Sequence, residues 1–268
     1  MSDFEYRDLA VDLDRDVCRI TFDRPEELNA ITERMHTELS TVFRDVADAD
    51  ARVVVLTGNG EVFSAGGDLE WLSACLDDPE NFRTIVQEGE RTVRDLLAVD
   101  KPVIAKINGD ATGFAATLAL FADVTIASTD ATIGDPHVNA GLAAGDGGAV
   151  IWPLLVGMNT AKELLLTGEV LDAERAAEIG LINRAVPPED LDDEVAAVVD
   201  RLANGPQVAI RYTKRALNTW LELGVDAVLR QSLGLEAMSQ QHPDHREGLA
   251  AFREGRRPEF PSSRADNE

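Results

Sequence analysis

Three short apolar runs set the strongest limit on what this chain can fold into. They are RVVVLT at 52–57, PVIAKI at 102–107 and VTIAS at 124–128. A strand without polar alternation is buried on both faces, as in a parallel sheet covered by helices on each side. The segments between the runs carry helical spacing. Residues 30–48 set Ile31, Met35, Leu39, Val42, Phe43 and Val46 on one face, with Thr32 in the cap region. Further helices are expected at 81–97, at 114–121 (FAATLALF) and at 147–156, where Pro153 bends or ends the last of them. Ahead of these, residues 4–23 alternate Leu9, Val11 and Leu13, then Cys18, Ile20 and Phe22, around a polar Asp14-Arg15-Asp16 turn. That pattern predicts a hairpin, ended by Arg24-Pro25. From Asp172 onward the spacing is helical and amphipathic. The expected class is α/β.

Composition excludes several functions. The chain has 268 residues, enough for one large domain or two small ones, and a net charge of −24 with only four lysines. Such a surface repels nucleic acid and anionic membranes, so neither is expected as a partner. It also suits a halophilic setting, where salt screens the repulsion between carboxylates. No apolar run approaches the ~20 residues of a membrane span. The acidic N-terminus, MSDFEYRDLAVDLD, does not read as a signal or transit peptide. Cys18 and Cys75 fit no zinc or redox spacing and read as buried thiols in a reducing cytoplasm. No metal site is expected, and no internal repeat or low-complexity segment is present.

Five segments occur in one order and register: FDRPEELNAI at 22–31, VLTGNGEVFSAGGDLEWL at 55–72, KPVIAKINGDATGFAATLALFADVTIAS at 101–128, LLLTGEVLDAERAAEIGLINRAVP at 164–187 and EGLAAFREGRRPEF at 247–260. Together they resemble the crotonase (enoyl-CoA hydratase/isomerase) superfamily over about 240 residues. The resemblance implies a crotonase-like core of repeated ββα units over 1–190, binding an acyl-CoA. It implies a helical C-terminal region over 191–260 that trimerises, with trimers commonly pairing into hexamers. Residues 261–268 are expected to be a disordered tail. No cofactor is implied beyond the CoA moiety of the substrate.

A thioester carbonyl acidifies its α-carbon, and enolate chemistry needs donors aimed at the oxygen where charge develops. Backbone N–H groups at helix N-termini serve this purpose. The resemblance sets the two donors of the oxyanion hole at Gly67, within FSAGGDL, and at Phe114, after Gly113. It lines the CoA and substrate groove with Ala65, Gly66, Asp68, Leu69, Gly113, Thr117 and Pro136. Asp68 reads as a carboxylate that fixes its loop. Trp71 and Phe63 flank this loop and are expected to shape the acyl pocket. Arg24, Lys214, Arg256 and Arg257 are the basic candidates for the CoA phosphates.

The sequence departs from the family at the hydratase glutamates. One position falls at Thr117, which reads as packing in an apolar helix, and the other at His137. The proton carriers that remain are His137, which titrates near neutrality, and Asp146 in LAAGDGGAV, whose alternative role is helix capping. Asp135 could orient His137. Trp152 reads as core or a subunit contact, and His36, His242 and His245 as surface residues. A double-bond shift needs only one base and an oxyanion hole. Hydration, thioester or C–C hydrolysis, decarboxylation and CoA binding without catalysis stay open.

Overall fold

The hairpin forms from β1 (Leu9–Asp14) and β2 (Val17–Phe22), which pair antiparallel around Arg15, at φ 53°. The structure, a computed structural model, describes residues 5–76 and 78–263, so residue 4 of the expected hairpin lies outside it. Helix α1 (Glu33–Ala47) begins where Thr32 caps it, the Met35 N–H donating to Thr32 Oγ1 at 3.2 Å. Strand β3 (Val53–Gly58) then enters parallel to β2. After it come α2 (Leu69–Cys75) and α3 (Pro79–Ala98).

The expected ββα unit now appears twice. Strand β4 (Val103–Ile107) is followed by the two-residue β5 (Ala111–Thr112) and α4 (Phe114–Leu120). Strand β6 (Val124–Ser128) is followed by β7 (Thr132–Gly134), a 3-10 turn at His137–Ala140, and α5 (Gly148–Val156). Helix α5 runs one turn past Pro153 and stops at Gly157, where α6 (Met158–Thr167) starts. Besides β5 and β7, whose positions it does not give, two more short strands escape the sequence reading. Strand β8 (Val170–Asp172) precedes α7 (Ala173–Glu178), and β9 (Arg184–Val186) precedes α8 (Leu191–Ala203). The chain ends in α9 (Gln207–Gly224), a π-helical turn at Val225–Leu229, α10 (Arg230–Gln240) and α11 (Pro243–Glu254). At the start of the expected disordered tail, Pro261–Ser263 form a turn, and the Ser262 N–H donates to Asp244 Oδ1 at 3.0 Å. Residues 264–268 lie outside the described residues.

Among the described residues, the main sheet has six strands in the order β1-β2-β3-β4-β6-β9, and a second sheet has three in the order β5-β7-β8. All pairings in the main sheet after the hairpin are parallel. The continuous apolar run in β3 has a direct cause. Val54 and Leu56 join the large core with Met35, Leu39 and Phe43 of α1. Val53 and Val55 face the other way and join Ile104, Ile126, Leu191 and Val195. Helix α8 therefore covers the second face of the sheet, although it lies in the segment read as an oligomerisation region.

Trp152 is fully buried in the large core rather than at a surface. Trp152→Ala is expected to cost about 3–5 kcal/mol, read as a lower urea midpoint. Cys18 and Cys75 are buried, and burial pushes both thiols up to about 11, so neither is a reactive thiolate at neutral pH. Among the described residues, no helix is long and apolar enough to cross a membrane.

Candidate active site

The segment 28–31 positions the first glycine loop. Ile31 forms a parallel bridge with Gly67: its N–H donates to Gly66 O at 2.7 Å, and its carbonyl accepts from the Asp68 N–H at 2.9 Å. Ala65 N–H donates to Leu28 O at 3.0 Å. In a parallel bridge of this register the N–H of Gly67 points away from Ile31. Among the described residues it donates to no backbone carbonyl. Gly66 takes φ +85°, and a Cβ there would sit 3.0 Å from Thr112 O, so this loop lies directly against the next one. Asp68 fixes the loop as expected. It caps α2, accepting from the Trp71 N–H at 2.8 Å, with Leu69 as the first helical residue. Asp68→Ala is expected to cost about 1 kcal/mol of stability, measured by urea denaturation.

The second loop carries Gly113 at φ +59°, and Phe114 opens α4. The Phe114 N–H also donates to no backbone carbonyl among the described residues. Its position at a helix N-terminus adds the helix dipole to any hydrogen bond it makes. A Cβ on Gly113 would lie 3.6 Å from His137 Cε1, so the imidazole stands beside this donor.

His137 is held at both ring nitrogens. Nδ1 bonds Asp135 Oδ1, and Nε2 lies 3.3 Å from Asp146 Oδ2. Pro136 precedes the 3-10 turn that presents the ring. Thr117 is fully buried on α4 and packs there, but its hydroxyl also donates to Asp146 Oδ1 at 3.4 Å. Asp146 does not cap α5: Gly147 is the cap residue, without a side-chain bond, and the carboxylate turns to His137 instead. The other oxygen of Asp135 faces the start of α5, where a Cβ on Gly148 would come within 2.2 Å of it. Only a glycine leaves that room. Burial disfavours the imidazolium, but the charges and hydrogen bonds of Asp135 and Asp146 outweigh it. They hold His137 well above the ordinary imidazole range. One atom each of Asp135, His137 and Asp146 lies within 4.8 Å of the others. The two carboxylates occupy opposite edges of the ring, which is the geometry of a proton relay.

Glu236, on α10, belongs to this cluster and was not legible in the sequence. It is buried. That burial, with the charges of Asp146 and Asp135 and against the pull of His137, pushes its carboxyl up to about 8. The one available signal was a stripe of polar residues at helical spacing. Ser232, Glu236 and Gln240 lie on a single face of α10, and all three are buried.

Other expectations need correction. His36 and His245 are buried rather than superficial. His36 Nδ1 lies 2.8 Å from Glu88 Oε2, and its ring packs between Trp71 and Phe114, with centroids at 5.3 and 5.5 Å. His245 Nδ1–H donates to Ala140 O at 2.7 Å and so braces the His137 turn. His242 is exposed, as expected. Trp71 is half-buried beside the loop, but Phe63 is core, edge-on to Phe22 at 5.1 Å. Three of the four basic candidates are paired with carboxylates: Arg24 with Asp8 and Glu27, Lys214 with Asp123, and Arg256 with Glu247 and Glu254. Arg257 is exposed.

Residues 12–263 match the family model of enoyl-CoA hydratase/isomerase. The crotonyl-CoA hydratase of Syntrophomonas wolfei is 31% identical over 258 residues, covering 95% of this chain and 98% of that protein. An enoyl-CoA hydratase/isomerase crystal structure from Mycobacterium paratuberculosis superposes with a TM-score of 0.88 at 34% identity, covering 92% of this chain and 99% of that one. A β-diketone hydrolase from the cyanobacterium Anabaena, bound to (S)-3-oxocyclohexyl acetic acid, superposes with a TM-score of 0.82 at 29% identity, covering 88% and 95%. With both glycine loops, the repeated ββα unit and a match over nearly the whole chain, the protein belongs to the enoyl-CoA hydratase/isomerase family.

Proposed function

We propose that the protein binds an acyl-CoA thioester, forms its enolate, and moves a proton on the acyl chain with the His137–Asp146 couple. The Gly67 and Phe114 N–H groups hold the enolate oxygen. The observation that carries this reading is His137 fixed between Asp135 and Asp146, beside Gly113. Asp146 takes a proton from the carbon chain, and the couple returns it two carbons along, which shifts the double bond. One paired base suffices for that reaction, and neither hydratase glutamate is required. Ala65, Gly66 and Leu69 line the groove for the CoA, with no cofactor besides it. The apolar side chains Tyr212 and Trp220, exposed on α9, suit the trimer or hexamer interface of a cytoplasmic enzyme.

The test is incubation with a 3-enoyl-CoA and with crotonyl-CoA in D2O, in molar KCl, followed by mass spectrometry. Double-bond migration with deuterium uptake is expected. Binding of both thioesters without any change would contradict the reading.

A second reading is hydrolysis of a carbon–carbon bond in a β-dicarbonyl compound. It is supported by the likeness to the Anabaena β-diketone hydrolase. The same couple would then draw a proton from water, and the oxyanion hole would hold the enolate that leaves. Cleavage of a cyclic 1,3-diketone with no turnover of the thioesters would favour it.

A further inference from the structure

Among the described residues, the buried Oε2 of Glu236 lacks the partner that its burial demands. Glu236 reaches the site from α10, one turn beyond Ser232, whose hydroxyl donates to Gly145 O at 2.7 Å. A Cβ on Gly145 would lie 2.5 Å from Glu236 Cβ and 2.6 Å from its Oε2. Helix α10 therefore presses both side chains onto the residue that precedes Asp146, and only glycine allows so close an approach. Glu236 is 8% exposed, and Oε2 has no hydrogen-bond partner among the described residues. Asp135 Oδ2, in the same cluster, is also unpartnered. Buried polar atoms left bare beside a reactive site mark a place that water or a ligand fills.

We propose that Glu236 is the proton donor that lets this site also add water to a 2-enoyl thioester, with Asp146 as the base for that water. The proposal rests on the acyl-CoA reading above. It restores the paired carboxyls of a hydratase from a different element, since the resemblance sets Thr117 and His137 at the positions of the family's glutamates. Asp146 takes one proton from the water, and the oxygen bonds to the β-carbon. The π pair moves onto the thioester as an enolate at the Gly67 and Phe114 amides. The α-carbon then takes the proton of Glu236. The product is a 3-hydroxyacyl thioester. Transfer of the proton from Asp146 to Glu236 restores the site, and nothing is oxidised or reduced.

The division of roles follows from the surroundings. Glu236 faces Asp146, Asp135 and His137, and burial with the two carboxylates keeps its proton on to about pH 8. His245, on the adjoining α11, is pushed below the ordinary imidazole range by burial and so adds no positive charge at neutral pH to draw that proton off. Asp146 instead has the His137 ring and the Thr117 hydroxyl as partners for its negative form. A carboxyl that burial keeps protonated, beside one supplied with hydrogen-bond donors, gives one acid and one base.

The experiment uses crotonyl-CoA in oxygen-18 water, with the wild type, Glu236→Gln and Glu236→Asp. The wild type is expected to add one labelled water, at a rate that falls as pH rises through about 8. Glu236→Gln keeps the volume but has no proton to give. Its water addition should drop about 10²-fold or more, and by at least ten-fold more than its α-deuterium exchange with butyryl-CoA. Glu236→Asp should recover part of the rate, and it carries the test if the Gln variant does not fold by circular dichroism. Water addition by Glu236→Gln at the wild-type rate would overturn the proposal. So would a wild type that exchanges the α-proton of butyryl-CoA yet adds no water. A wild type that does neither would overturn the acyl-CoA reading itself.

Discussion

His137→Ala is expected to lower kcat/KM for double-bond migration by about 10²–10⁴-fold, the usual worth of a positioned acid or base. The loss should fall on kcat, because the ring stands beside Gly113 and the proposed oxyanion donor, where the proton moves. Folding should survive. The side chain is half-buried, its removal leaves no apolar cavity in either core, and His245 still braces the turn through Ala140 O. Steady-state kinetics beside a thermal melt separates the two effects. An unchanged kcat in a folded variant would remove His137 from the chemistry.

Asp135→Asn has the second largest expected effect. Asp135 is the stronger of the two charges that keep the imidazolium, and its loss leaves burial opposed by Asp146 alone. The His137 pKa therefore falls, and the alkaline limb of kcat moves to lower pH, with about 10²-fold less activity at neutral pH. Stability carries the same sign. A histidine whose folded pKa lies above its unfolded value of about 6.5 stabilises fully below that value. The contribution is then lost as pH rises through the folded pKa. In the wild type, urea midpoints should decline over that window from this source, and in Asp135→Asn the decline should shrink. A pH–rate profile that does not move would show that Asp135 only packs against α5.

Much of this arrangement was legible because it depends on local pattern. The strand β3 was read from an unbroken apolar run, and the structure gives the cause: alternate residues feed two different cores. Thr32 and Asp68 were legible as fixed points because a short polar side chain before a helix has few better uses. His137 could be singled out because the resemblance sets it at a catalytic position between two matched segments, and Asp146 because it falls within one residue of another such position. What stayed hidden depends on distant partners. Strands β8 and β9 are three residues each, too short to show a period, and they form only by pairing with β7 and β6. His36 sits on a helix next to core positions, and its burial comes from distant elements: Glu88 of α3 and the rings of Trp71 and Phe114. Glu236 lies 90 residues beyond Asp146 in sequence, between the exposed side chains Leu235 and Met238 on the same helix. Apart from the polar stripe it shares with Ser232 and Gln240, nothing local separates it from a solvated glutamate until α10 docks on Gly145.

The central claim is that this site makes a thioester enolate and that the His137–Asp146 couple handles its proton. Butyryl-CoA in D2O tests it most directly, because a saturated chain can neither hydrate nor shift a double bond. The wild type is predicted to wash deuterium into the α-carbon, and His137→Ala to lose that exchange. Tight binding of butyryl-CoA with no deuterium uptake, or equal uptake in the variant, would contradict the account.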